Sequence, residues 1–309
     1  MNLFGRTKRA TQSGHIGLSF SDEGLAMVWI DPKADRPLRH WELLVDSPSQ
    51  LAGRLAERVT SLELNDLPCF AVMGAQDYSL QLVEAPDVPE SDLAAAVKFQ
   101  IRDSINMSLA DAEVQVFAVP ESAYRQQGRM LYAATTHRAR VMEIRDCVLN
   151  AGLKLKTIDI RESVIRDLVS EIILGDDSVA CLDVREGQAR LLLIKGGEIY
   201  LCRQLNTQID QIQMAAGDWA DVFRRFVVEL QRSFDYFENQ MGQGQILQFL
   251  LAPVPGVTNQ LIEQLNLNLV AEGSVVDLNS IWNSGSIISP RDQYDCLFAA
   301  GAALAKAVR

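Results

Sequence analysis

Histidine and cysteine are scarce in this 309-residue chain, and their placement argues against several chemistries. The three histidines, His15, His40 and His137, are far apart and none sits at a metal-ligand spacing. The five cysteines, Cys69, Cys147, Cys181, Cys202 and Cys296, are odd in number and scattered, with no C-x-x-C pair. They read as reduced, buried thiols of a cytosolic protein, not as redox or metal centres. Neither G-x-S-x-G nor G-x-x-x-x-G-K-S/T occurs, which removes the nucleophile elbow and the P-loop. No apolar run reaches the roughly 18 residues of a membrane-spanning helix. The longest, 189–194 and 246–254, are strand-length. Arg6, Lys8 and Arg9 are followed by no apolar stretch, so no signal peptide is expected. Positive charge is the minority sign: 29 Lys and Arg against 40 Asp and Glu leave −11. The pI is near 4.8. Such a surface repels phosphodiesters and anionic headgroups, which argues against general nucleic-acid binding.

What is present suits a globular protein. Hydrophobic residues make up 48% and charged residues 22%. The length exceeds one average domain, so two lobes are expected. Residues 1–10 read as a flexible basic arm, or as a short amphipathic anchor using Leu3 and Phe4. Strand signals at 15–20, 25–30 and 38–45 are separated by turn residues, and Ser47-Pro48-Ser49 opens a helix to about Leu62 with Leu51, Leu55 and Val59 on one face. A short strand at 69–73 follows. A helix over 91–106 carries the apolar stripe Leu93, Val97, Ile101 and Ile105, with Asp92 in its first turn. It is flanked by strands at 79–84, 113–119 and 130–136, a β-α-β-β block that reads as an inserted subdomain. A helix at 138–150 ends at Gly152, a strand covers 153–160, and a helix covers 162–174.

After Gly175-Asp176-Asp177 the pattern restarts: a strand at 179–184, a turn at Arg185-Glu186-Gly187, a strand at 189–194, a Gly196-Gly197 hairpin turn and a strand at 198–203. Glu23-Gly24-Leu25-Ala26 and Glu186-Gly187-Gln188-Ala189 occupy the same place in two three-strand meanders, a faint two-copy repeat. A long helix over 219–240 follows, with Val222, Phe226, Leu230, Phe234 and Phe237 on one face. A strand at 246–252, a helix ending near Leu265, a strand at 267–270 and a closing helix with small residues around Gly301 complete the chain. The expected division is 1–75 with 138–176, an insertion at 76–137, and 177–309.

This order resembles the actin-like ATPase fold, two duplicated ribonuclease-H-like lobes with a small subdomain inserted in the first. Within it, the chain resembles the PilM family of type IV pilus assembly proteins. Ile16-Gly17-Leu18-Ser19-Phe20-Ser21 is similar to that family's opening strand, and Leu182-Asp183-Val184-Arg185 to its second phosphate turn. The segment from Val228 through Glu229, Arg232 and Ser233 to Phe237 is similar to its E-I-x-R-S-x-x-Y-F helix, and Pro89 to Asn106 resembles the helix of its insertion. Length and eroded motifs look most like the MshI members, which serve mannose-sensitive haemagglutinin (MSHA) pili.

The departures matter more than the matches. The family pattern implies aspartate and glycine where Ser19 and Ser21 stand, glycine at Arg185, a G-G turn at Leu205-Asn206-Thr207-Gln208, and more glycine than the single Gly256 in Pro253-Val254-Pro255-Gly256-Val257. A serine is a poor Mg²⁺ ligand beside a carboxylate. The Arg185 side chain would fill phosphate space or imitate phosphate neutralisation. Asp183, Arg185, Glu229, Arg232, Ser233 and Gly256 are therefore the candidate nucleotide-site residues, with weak ATP and Mg²⁺ binding left open. The plain alternatives make Asp183 a turn residue, Glu229 and Arg232 a solvated i, i+3 pair, and Ser233 packing.

The resemblance implies a cytoplasmic, non-enzymatic assembly factor held at the inner membrane through partners. It would bind, in an extended form, the cytoplasmic tail of a bitopic PilN-like protein, in a groove walled by the 91–106 helix. Phe99 lies off the apolar stripe of that helix, with Arg102 one turn along. Phe99 must either pack on the first lobe or help line that groove. The rival reading is an active ATPase or sugar-kinase-like enzyme on the same fold. A homodimer is left open.

Overall fold

The computed structural model describes residues 12–124, 128–173, 175–185, 188–207, 219–282 and 284–304. The basic arm and the turn residues Glu186, Gly187 and Gln208 lie outside them.

Two five-stranded sheets share one topology. The first is built from β1 (His15–Ser21), β2 (Gly24–Ile30), β3 (Leu38–Leu44), β4 (Pro68–Val72) and β8 (Lys154–Asp159), ordered β3-β2-β1-β4-β8. The second contains β9 (Ser178–Arg185), β10 (Gln188–Lys195), β11 (Glu198–Leu205), β12 (Gln248–Leu251) and β13 (Glu272–Val275), ordered β11-β10-β9-β12-β13. In each, three antiparallel strands continue into two parallel ones. The repeat suspected from four residues is thus present strand for strand. A third sheet, β5 (Tyr78–Glu84), β6 (Ala112–Ala118) and β7 (Met130–His137), runs in the order β5-β7-β6.

Helices cover both faces of the first sheet. On one face Ile16, Leu18, Leu25 and Met27 meet Leu55 and Val59 of α1 (Pro48–Ser61) and Ile144 and Val148 of α3 (Arg138–Asn150). Alternation along each strand sends Gly17, Ser19, Ala26 and Val28 to the other face. There the sheet meets α8 (Pro290–Leu304), the last described helix. A Cβ on Gly17 would fall on the Ala299 carbonyl, so the missing side chain is what lets this helix lie against β1. Chain order had assigned this helix to the second lobe; its contacts put it on the first sheet. Its other side meets α4 (Arg161–Ile172), where Gly301 leaves room for Val164. The two lobes share one core that runs through both helices.

Two boundaries differ from expectation. In the inserted subdomain α2 spans only Leu93–Gln100, after a 3₁₀ turn at Glu90–Asp92. Just past its end the Ile101 carbonyl is taken by Ser104, whose N–H lies 2.9 Å and whose Oγ lies 2.8 Å away; Oγ is also 2.9 Å from Gln81 Oε1, its one proton serving either acceptor. Leu93, Val97 and Ile101 are buried as the stripe requires, while Ile105 is half-buried beyond the helix. In the second lobe α6 runs Thr258–Asn268, so 267–270 is not a strand, and Val270 is 82% exposed. The parallel strand comes later, as β13, followed by the short α7 (Leu278–Ile281). The helix before β12, α5 (Trp219–Asp235), buries Phe226 and Leu230 and widens into a π-turn at Tyr236–Gln240 that buries Phe237.

Candidate functional site: an arginine-lined cleft between the lobes

A cleft of about 330 Å³ opens at the carboxyl ends of β1, β4 and β9. Ser19 and Ser21 of β1, Asp22 and Glu23 of the turn after it, and Gly74 and Asp77 of the loop after β4 form one side. Arg140 of α3, Arg161 of α4, Arg185 of β9, and Tyr294, Asp295 and Phe298 of α8 form the rest. This is where open α/β sheets hold ligands, beyond strand ends at a change of strand direction.

Asp183 and Arg185 lie in β9 itself, not in a turn, and Asp183 pairs in register with Arg190 of β10. Two residues apart on a strand, their side chains share a face. Arg185 Nε donates to Asp183 Oδ1 at 2.8 Å and Nη1 donates to the Tyr294 carbonyl at 3.0 Å. The guanidinium lies over the rings of Tyr294 and Phe298, 4.1 and 4.4 Å from their centroids. Both side chains of the pair are buried. Arg185 thus packs against the closing helix and occupies the carboxylate that a metal would use.

Behind the cleft sits a second buried cluster. Glu162, fully buried, pairs with Arg190 and accepts from the Tyr78 hydroxyl at 2.7 Å. Burial pushes the Tyr78 phenol up to about 12, against the pull of Arg190 and Arg161. Arg161 lies over Phe298 at 4.6 Å, and burial, then the like charge of Arg185, lowers its pKa. At the mouth, Arg291 bridges Asp295 at 2.9 Å and Glu23 at 2.7 Å. Burial still raises the Asp295 carboxyl above its ordinary range. Asp77 is held by Arg140 at 3.0 Å and by the Gly74 N–H at 3.0 Å.

This donor set does not suit Mg²⁺. Hard divalent cations take oxygen ligands, preferably free carboxylates, and here Asp183, Asp77, Glu23 and Asp295 are each engaged by arginine, while Ser19 offers only a hydroxyl. No cluster of three metal-ligating side chains occurs among the described residues.

Of the six residues proposed for nucleotide from sequence, only Arg185 lines this cleft. Glu229 accepts from the backbone and side-chain nitrogens of Asn206, both at 2.9 Å, and Arg232 is exposed. The expected Glu229–Arg232 pairing gives way to a brace between α5 and the end of β11. Ser233 is buried, donates to the Glu229 carbonyl and accepts from Arg203 at 2.9 Å. Gly256 sits exposed in the turn after β12, its φ of +81° requiring glycine-like freedom. Arg140, Arg161, Tyr294 and Phe298 were missed. A lone arginine at a helix start gives no sequence signal of burial.

On the inserted subdomain, Phe99 is 66% exposed, so it does not pack on the first lobe. Arg102 is exposed too and, among the described residues, pairs with its neighbour Asp103. Gln100 and Ser104, on either side in the chain, bond to the Glu84 carbonyl and to Gln81 of β5, an edge strand of its sheet.

No protein-family model and no curated protein matches this chain. Among solved structures it is similar to a chain of the PilM–PilN type IV pilus biogenesis complex, with a TM-score of 0.67 at 17% identity, covering 94% of this chain and 98% of that one. Weaker likenesses are to a protein of unknown function with an actin-like ATPase fold from Bacteroides thetaiotaomicron (TM-score 0.49, 8% identity, 92% and 96% covered) and to the cytoplasmic domain of EpsL, an inner-membrane component of the Vibrio cholerae type II secretion system (0.47, 11%, 92% and 95%). The fold is therefore the actin-like ATPase fold, as the paired sheet orders already indicated.

Proposed function

We propose that this chain is a type IV pilus assembly factor that docks on the inner-membrane platform by binding an extended cytoplasmic tail of a bitopic, PilN-like protein. The observation that carries the reading is Phe99. It is an aromatic side chain left 66% exposed on α2, whose next residue, Gln100, bonds to the Glu84 carbonyl of edge strand β5, in a chain whose fold spans nearly all of a component of a PilM–PilN complex. Edge strands accept extended peptides through backbone pairing, and an exposed aromatic supplies the anchor. The acidic balance of the chain suits a tail with basic residues near the membrane.

The chain is read as a cytoplasmic protein that reaches the membrane through that partner. No helix among the described residues is long and apolar enough to cross a bilayer. The assignment to MSHA-type pili rests on the sequence resemblance to MshI. The buried Asp183–Arg185 pair supports a non-hydrolytic role for the cleft.

The test is co-purification with a tagged PilN-like protein of the same organism, from detergent-solubilised membranes. The wild-type chain should be retained with its partner and the Phe99→Ala chain should be depleted. A wild-type chain that fails to co-purify with that protein contradicts the reading.

A further inference from the structure

The sheet of the inserted subdomain has two faces, and only one of them carries α2. Along β7, Leu131 and Ala133 cluster with Leu93, Val97 and Ile101, while Tyr132 between them turns the other way. Phe117 of β6 stacks on Tyr132 on that other side, ring centroids 5.4 Å apart. This second face is not solvated. Tyr132 is 3% exposed, and Val119 and Ala123, in the connection from β6 to β7, are buried in the same core as the strands of the second lobe.

Polar contacts run across this face as well. The Tyr132 hydroxyl accepts from the Cys202 N–H at 2.7 Å. Cys202 lies in β11, an edge strand of the second sheet, so the subdomain satisfies a donor that a sheet edge leaves open. Gln243, buried just past the π-turn, donates to the Ser122 carbonyl at 2.6 Å. The Ser122 and Tyr200 hydroxyls are 3.0 Å apart. At the start of β5, the Tyr78 hydroxyl donates to Glu162 and accepts from Arg190 of β10 at 3.4 Å.

Two lobes around a cleft move against each other unless a large or apolar interface holds them. Here α4 and α8 join them once. The inserted subdomain joins them again, through residues far from both helices in the chain. Parting this second junction would expose Val119, Ala123 and the Tyr132–Phe117 stack to water and break several hydrogen bonds together. We propose that the inserted subdomain is a strap: its inner face fastens the second lobe to the first and keeps the two lobes in one arrangement without help from a bound ligand. The opposite side of the subdomain, with Phe99 on α2, is thereby presented at a constant position relative to both lobes. The strap stands independently of what docks at Phe99, because none of its residues lies on α2.

Two measurements on the full chain, with no ligand added, test the strap: exchange of single amide hydrogens by nuclear magnetic resonance, and small-angle X-ray scattering. In the wild type the Cys202 amide should exchange within about tenfold of the Cys181 amide inside the second sheet, because neither opens short of global unfolding. Gln243→Met leaves Tyr132 and Cys202 untouched. It should nevertheless speed Cys202 exchange by about tenfold or more relative to Cys181, because the contacts of the strap open together. Adding Tyr132→Phe, which keeps the ring on Phe117, should raise the radius of gyration. The proposal is overturned if the wild-type Cys202 amide exchanges more than about tenfold faster than Cys181, which would mean that the lobes part at rest. It is also overturned if Gln243→Met leaves the ratio of the two rates unchanged, or if the folded double variant scatters as the wild type does. If the double variant does not fold, the exchange ratio in Gln243→Met alone decides.

Discussion

Arg185 donates to Asp183 across 2.8 Å, from two residues along the same strand. Both side chains are shut between β9 and the closing helix, 10% and 5% exposed. Removing one member of such a pair strands the other. Arg185→Ala should cost about 3–5 kcal/mol. The double replacement Asp183→Leu with Arg185→Met should cost clearly less than the single one. Urea denaturation of the three proteins measures this; equal losses for single and double variants would mean that the arginine acts only by packing on Tyr294 and Phe298.

Gly17 sets how closely the closing helix approaches the first sheet, because a Cβ there would land on the Ala299 carbonyl. Gly17→Ala should destabilise by about 1–3 kcal/mol or more, since backbone and not a side-chain tip must yield. Gly53, on the exposed face of α1 with nothing near its absent Cβ, is the control. Gly53→Ala should stabilise by about 0.5–1 kcal/mol. Urea midpoints moving in opposite directions are the expected result.

Glu42 on β3 provides a pH dependence with a defined sign. Burial raises its carboxyl, but hydrogen bonds and charge from His40, 2.8 Å away, and Arg58, 2.6 Å away, outweigh burial and hold it below its usual 4.5. A depressed carboxyl contributes stability that is full above the unfolded value and is lost as pH falls through the folded one. The stability difference between wild type and Glu42→Gln should be flat near neutrality and shrink below about pH 4.5. A difference that stays constant into acid would remove the carboxylate from the explanation.

Much of this arrangement is legible in the sequence because local pattern decides it. The alternation of Ile16, Leu18 and Phe20 with Gly17 and Ser19 in β1, the i, i+4 stripe Leu93–Val97–Ile101 and the Phe226–Leu230 face all appear in the structure as buried surfaces. Position in the chain misleads where tertiary contact decides. The closing helix, last in order, covers the first sheet. Glu229 prefers Asn206 to the arginine one helical turn away. Ser104 takes the Ile101 carbonyl just past the early end of α2. Arg161 reads in sequence as an ordinary solvated helix start; only the packing of α4 against Phe298 buries it.

Phe99 is the residue whose replacement separates folding from docking. Being 66% exposed, its loss should change stability by no more than about 0.5 kcal/mol. As an interface anchor its loss should weaken tail binding by about 2 kcal/mol, roughly thirty-fold. Calorimetry with a synthetic tail peptide, alongside urea denaturation, reads both numbers. A stable variant with normal affinity would place the groove elsewhere.

The most direct measurement is titration of the full chain with the cytoplasmic tail peptide of a PilN-like protein of the same organism, with and without ATP and Mg²⁺. Because Asp183 is held by Arg185, it is not free to ligate the metal of a metal–nucleotide complex. The expected result is saturable one-to-one binding with the same Kd in both conditions. No binding, or binding that appears only when ATP and Mg²⁺ are present, would contradict a pilus assembly factor whose docking has been freed from the nucleotide cycle.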